Sequence, residues 1–343
     1  PLLFELQSLM LDAELFLGQA ALGEEKHDLA EEHFRKGQKA AERFEKADHG
    51  LDFLQTRSRA LLQSAELAHQ LAQLAAKRND FPETKKQTGT WVETMTRFSQ
   101  LKNLPIEDTL RAIVLLLRTA GIAMFNAESR AAAEECYAQA IMLLERSAAE
   151  SADDPGYGVL LLTCYTAHAG ARLGQKKDIT ESTKKAEVLL KKLTTADPND
   201  PFLMLSSAQL LQFRSVETYS TFRNMMRAVA LIEQARLHLA EAEKHGLPKA
   251  LVEMFHLLMD FQLGAILCGN VERELETKPQ GDPELLKSVQ QAIVLFQNIL
   301  KKAAQPNLAT DAESQRLLNF VKQRIENVMP EIVKLEKRAA GLK

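Results

Sequence analysis

The chain has 343 residues, 45% of them hydrophobic and 26% charged, which excludes a disordered polymer and allows a sizeable core in two ordinary domains or one extended repeat array. With 43 basic against 46 acidic side chains, the formal net charge of -3 argues against a dedicated nucleic-acid coat, so direct nucleic-acid binding is not expected. Three scattered cysteines, Cys136, Cys164 and Cys268, give neither a disulfide framework nor a zinc pattern, and point to a reducing compartment, cytoplasmic or nuclear.

Read from the start, Leu2-Leu3-Phe4 is soon interrupted by Glu5, Gln7, Asp12 and Glu14 with no basic segment before it, so it does not read as a signal peptide. Pro1 stands where a methionine would, and the chain is read as a piece of something larger. Apolar residues then recur at helical spacing throughout, as in Ala30, Phe34, Ala41 and Phe44, or Trp91, Met95, Phe98 and Leu101. The spacing predicts helices over 2–22, 27–47, 51–78, 82–102, 106–126, 129–150, 155–174, 178–196, 201–216, 219–245, 249–269, 283–304 and 310–340, with a polar loop from Asn270 to Asp282. No alternating β-branched run suggests a strand. Ten of the eleven prolines fall at element edges, where a missing N–H costs little. Asp154-Pro155, Asp200-Pro201 and Asp282-Pro283 read as N-cap carboxylates followed by a first-turn proline, and Thr310 with Glu313 as a capping box. Only Pro330 falls inside a helical pattern, where a kink or break is expected. The longest strongly apolar stretch, Ala112 to Leu117, is far short of the roughly 20 residues of a membrane span, so no membrane partner is expected.

These elements pair into six antiparallel hairpins and a long closing helix, one all-α array over residues 1–343 with no evident domain boundary. Leu17-Gly18, Ala30 and Phe34 are spaced by twelve and four, and Gly121, Ala133 and Tyr137 repeat that spacing before Ala140. A glycine lets the partner helix approach, an alanine fits the crossing, and an aromatic fills the space beyond. This resembles the tetratricopeptide (TPR) repeat, and the resemblance implies an α-solenoid whose first helices line a concave groove for proteins or peptides. Glu14 and Leu117 stand where the repeat usually has tryptophan, later hairpins match poorly, and Ala208 is the single small-residue candidate in its helix. The pair at 201–245 carries a longer second helix than the repeat allows. Over about 106–216, Gly121 to Leu144, then Lys184-Lys185-Ala186 and Leu189-Leu190, then Asp197-Pro198-Asn199-Asp200-Pro201-Phe202-Leu203 follow the layout of the TPR scaffolds of meiotic synapsis initiation and crossover formation. That resemblance implies a scaffold for chromosome-axis and recombination proteins. Bacterial regulatory TPR modules share the layout.

Catalytic chemistry is not evident. His27 and His33, six apart, fall on different helix faces. His238 and His245 could share a face but lack a carboxylate or cysteine to complete a metal set. Gly156-Tyr157-Gly158 lacks the third glycine and preceding strand of a dinucleotide fingerprint. Cys136 stands beside Glu134 and Glu135, which would raise its pKa rather than activate it. No catalytic, cofactor or metal residue is therefore assigned. From the TPR resemblance, Asp12, Gln19, Arg118, Asn126, Gln209 and Gln212 are expected to project from the groove, with Leu15, Leu22, Ile122, Phe125, Phe202 and Phe213 making its wall partly apolar. Leu15 and Gln19 occupy two positions of the carboxylate clamp found in chaperone-binding relatives, so capture of a chaperone tail is not expected. Lys184, Lys185, Lys191 and Lys192 fall on one helix face as a candidate basic patch. The function these readings favour is a non-enzymatic scaffold for a multiprotein complex. Two alternatives remain open, a ligand- or peptide-responsive regulatory module and the helical accessory region of an enzyme whose catalytic domain lies elsewhere.

Overall fold

Helical periodicity between proline stops gives thirteen helices and no strand among the described residues. The computed structural model describes residues 2–46, 54–78, 80–101, 106–124, 130–150, 155–277, 282–304 and 312–341. In chain order the helices are α1 (Leu2–Gly23), α2 (His27–Lys46), α3 (Leu54–Lys77), α4 (Phe81–Ser99), α5 (Ile106–Met124), α6 (Arg130–Glu150), α7 (Pro155–Gly174), α8 (Thr180–Ala196), α9 (Pro201–Phe222), α10 (Met225–Lys244), α11 (Lys249–Thr277), α12 (Pro283–Ala303) and α13 (Ala312–Ala339). The Asp-Pro pairs act as their chemistry dictates. Asp200 accepts the N–H groups of Phe202 and Leu203 at 2.7 and 3.3 Å, and Asp282 that of Glu284 at 2.8 Å. Asp80 caps α4 in the same way through Glu83 at 3.1 Å, ahead of Pro82. Asp154 and Thr310 lie outside the described residues.

Beyond shifts of one to three residues at helix ends, three features differ from the sequence expectation. α9 runs on to Phe222, where Arg223 adopts a left-handed conformation (φ 53°) and closes the helix on Tyr219, and Asn224 caps α10 through the N–H of Arg227. The longer helix of this pair is thus the first, of 22 residues, and not the second, of 20. α11 continues through the expected loop at Asn270 as far as Thr277, because Asn270 is buried and accepts from Arg273 at 2.7 Å one turn on. α13 carries Pro330 without a break.

The chain forms two compact units, Pro1–Gln175 and Lys176–Lys343. In unit 1, α1 packs on α2 and α3, α3 on α4 and α5, α4 and α5 on α6, and α6 on α7. This is the stacking of antiparallel hairpins that the small-residue spacing implies. A Cβ on Gly18 would lie 2.2 to 2.8 Å from three atoms of the Phe34 ring, so the glycine is what allows α1 to seat on that ring. Ala30, Phe34, Leu11 and Leu67 are fully buried around it. Ala133 and Ala140 are likewise buried, with Tyr137 nearly so; Gly121 lies in α5 outside the described side chains. Burying Phe34, Leu11 and Leu67 contributes roughly 1.5–3 kcal/mol each.

In unit 2, α9 packs on α8, α10 and α11, α11 on α10, α12 and α13, and α12 on α13. The first-helix glycine and second-helix aromatic recur here: a Cβ on Gly264 would lie 2.7 Å from the Phe296 ring, one turn beyond the fully buried Ala292. α11 is long and apolar enough to cross a membrane by length and composition alone. Its buried residues, from Val252 to Leu275, face the four helices packed on it, as befits the central helix of a unit.

His256 on α11 titrates below its usual 6.5, chiefly from burial and then from the positive Arg236, against the opposing pull of Asp260. Lys302 and Glu243 act in opposite senses on it. The unfolded chain then binds a proton before the folded one does, so unit 2 should lose stability as pH falls from about 6.5 through the depressed folded value. Thermal melts between pH 7 and 5 should show that decline, and H256Q should flatten it. The carboxylates Glu31 and Glu83, held below their usual range mainly by side-chain hydrogen bonds, add their own loss only below about 4.5.

Candidate docking face on the first helices

Stacking places α1, α3 and α5 side by side, and polar side chains join them across the seams. Asp12 on α1 accepts from Arg59 on α3 at 2.7 Å and also from Gln63, one turn further along α3. Seven residues on, Gln19 donates to Glu66 on α3 at 3.4 Å, and the second oxygen of Glu66 accepts from Arg111 on α5 at 2.8 Å. One carboxylate therefore ties three successive first helices. Ser58 donates to Asp108 at 2.5 Å, and buried His69 bonds Thr119 through Nδ1 at 2.8 Å and Gln73 through Nε2 at 2.9 Å. The partially exposed pairs contribute only about 0.2–1 kcal/mol each, so they set register more than they hold the fold.

A second row joins the other helices. Arg35 on α2 pairs with Glu83 on α4 at 3.2 Å and with Glu31 of its own helix at 2.7 Å, while Arg78, just past the end of α3, pairs with Asp28 and Glu31 of α2. Gln139 on α6 donates to Thr96 on α4 at 2.6 Å. In both rows most partners between equivalent helices lie 43 to 51 residues apart. A TPR unit of about 34 residues cannot hold two helices of 19 to 24 residues, so the pattern is TPR-like with a longer repeat.

Of the residues expected to form a groove, Asp12 and Gln19 stand together on this face, both turned toward α3. The side chain of Arg118 and the whole of Asn126 lie outside the described residues, as do the side chains of Ile122 and Phe125. Gln209 and Gln212 belong to α9 of unit 2. Gln209 is half-buried, but Gln212 is 4% exposed and does not project. The reason is helical phase: Gln212 shares a stripe with Ala208 and Ser215, both fully buried, and Ser215 donates to the carbonyl of Ala228 on α10 at 2.7 Å. Leu15 is also core and not wall, packed with Leu11 and Phe34, while Phe202 is exposed and Leu22 and Phe213 are half-buried. Arg59, Gln63, Glu66 and Arg111 were missed; a search for opposite charges at a lag of 45 to 47 residues would have found all of them but the neutral Gln63, which stands 51 residues from Asp12.

Lys184, Lys185, Lys191 and Lys192 are all exposed on α8. Burial pushes up the thiols of Cys136, Cys164 and Cys268, the second to about 12 and the third to about 11. For Cys136 the Glu135 charge is a secondary cause after burial. No group of three or more His, Cys, Asp or Glu side chains disposed to hold a metal occurs among the described residues.

No family model matches the chain, and no curated protein matches it. Among solved structures the chain is similar to the human IFIT1 dimer with m7Gppp-AAAA, at 14% identity over 94% of this chain and 79% of that one, with a TM-score of 0.29. A superposition at that score supports no inference about the site.

Proposed function

We propose that the chain is a non-enzymatic, intracellular scaffold that holds protein or peptide partners, and that a partner docks on the α1–α3–α5 face of unit 1. The observation that supports this is the row of partly exposed Asp12, Arg59, Glu66 and Arg111, presented by three successive first helices that side-chain pairs hold in register. Such a row offers both signs of charge to an extended chain, and charged rims of this kind govern partner choice and association rate. The near-balanced charge favours a protein over a polyanion as partner. Free cysteines with pKa values raised by burial favour binding over thiol catalysis and agree with a reducing compartment. The more specific form of the proposal, drawn from the resemblance over residues 106–216, is a scaffold for chromosome-axis and recombination proteins in meiotic synapsis and crossover formation.

The test is affinity capture with cross-linking mass spectrometry from native extract, meiotic cells included. R59E/R111E should cut recovery of the captured proteins about tenfold while far-UV circular dichroism stays helical, and K39E, on α2, should not. Cross-links should fall on α1, α3 and α5. Recovery unchanged by R59E/R111E would reject this face. Capture without axis or recombination proteins from meiotic extract would reject the specific form alone.

A further inference from the structure

We propose that the exposed face of α8 is a second docking surface, for an acidic amphipathic helix that carries an apolar anchor. Lys184, Val188 and Lys191 follow one another at four and three residues, and Lys185 and Lys192 flank the same arc. All four lysines are exposed, and Val188 is 67% exposed at their centre. α8 packs on α9; its buried residues are Ser182, Thr183 and Ala186, and Glu187, Leu189, Leu190 and Leu193 are half-buried, which leaves this arc uncovered. Lys184, Lys191 and Lys192 make no ion pair among the described residues. Glu181, itself exposed, pairs with Lys185 at 3.8 Å at the N-terminal edge, and Glu187 is turned to Arg214 on α9 at 2.5 Å, so the cluster keeps a net positive charge centred on Lys184, Lys191 and Lys192.

Charge and polarity together select the occupant. Four cations around one uncovered aliphatic side chain match carboxylates around one aliphatic side chain, a pairing a nucleic acid does not offer. Between Lys184 and Lys192 there is no arginine for bidentate phosphate recognition and no aromatic ring for base stacking. The surface rests on residues of unit 2 alone, so it stands or falls independently of the face on α1, α3 and α5.

The test is a fluorescence-anisotropy titration of the full chain, at low salt, against a Glu/Ala-rich helical peptide of about five turns with one central leucine. The chain should bind it, and K184E/K191E should weaken binding about tenfold, with K184Q/K191Q intermediate. V188S, or glutamine for the peptide's leucine, should weaken it about threefold. K301E/K302E, a reversal of equal charge on α12, should leave it unchanged. Failure of the wild-type chain to bind, indifference to K184E/K191E, or indifference to V188S and to loss of the leucine would each overturn the proposal. So would binding an oligonucleotide of equal charge as tightly as the peptide, which would make the patch a general polyanion site.

Discussion

Gly18→Ala should destabilise unit 1 by about 1–3 kcal/mol, although the same change in an ordinary helix is stabilising by roughly 0.5–1 kcal/mol. The sign is decided by the Phe34 ring, three of whose atoms would lie 2.2, 2.5 and 2.8 Å from the new methyl group. Phe34 cannot swing clear, because it is fully buried among Leu11, Ala30, Leu67 and Leu71. Denaturant unfolding gives the free energy, and hydrogen exchange should locate the loss in α1, α2 and the α3 residues packed on them. Shortening the ring in G18A/F34L should restore part of it. A G18A protein as stable as the parent would mean that α1 does not seat on Phe34.

Phe296→Ala should cost unit 2 more, about 3–5 kcal/mol, as a buried aromatic lost with little room for collapse. The ring is 1% exposed and packs on Gly264 and against the Phe261 ring, with centroids 5.9 Å apart at 55°. The sharper result comes from a double-mutant cycle. Gly264→Ala should destabilise the parent, where its Cβ meets the ring at 2.7 Å, but stabilise the F296A protein, where helix propensity alone remains. Additive effects would show that the two residues do not touch.

The helices and most of their ends were legible because their signals are local. Asp200-Pro201 and Asp282-Pro283 carry their caps in two adjacent residues, and Gly18, Ala30 and Phe34 lie close enough in sequence to be read as one spacing. The same triad at Gly264, Ala292 and Phe296 was hidden, since α11 runs 29 residues and stretches the interval between glycine and alanine. The polar run after Asn270 looked like a loop because its burial depends on Arg273 and on neighbouring helices. The residues of the proposed docking face were legible only in part. Asp12 and Gln19 followed from the repeat pattern, whereas Arg59, Glu66 and Arg111 required knowing that equivalent helices stand nearly 50 residues apart, and Gln212 required its rotational phase against Ala208.

Within unit 1 each helix leans on those one or two places along the chain, and Glu66 is where one such seam is stitched to the next. Cohesion of this kind is handed from neighbour to neighbour like tension along a row of coupled springs. A pull or a lesion applied at α1 therefore fades along the row before it reaches α7. A change at Glu66 slackens two joints at once, and so makes the middle of the row, not its end, the place where bending would be tuned.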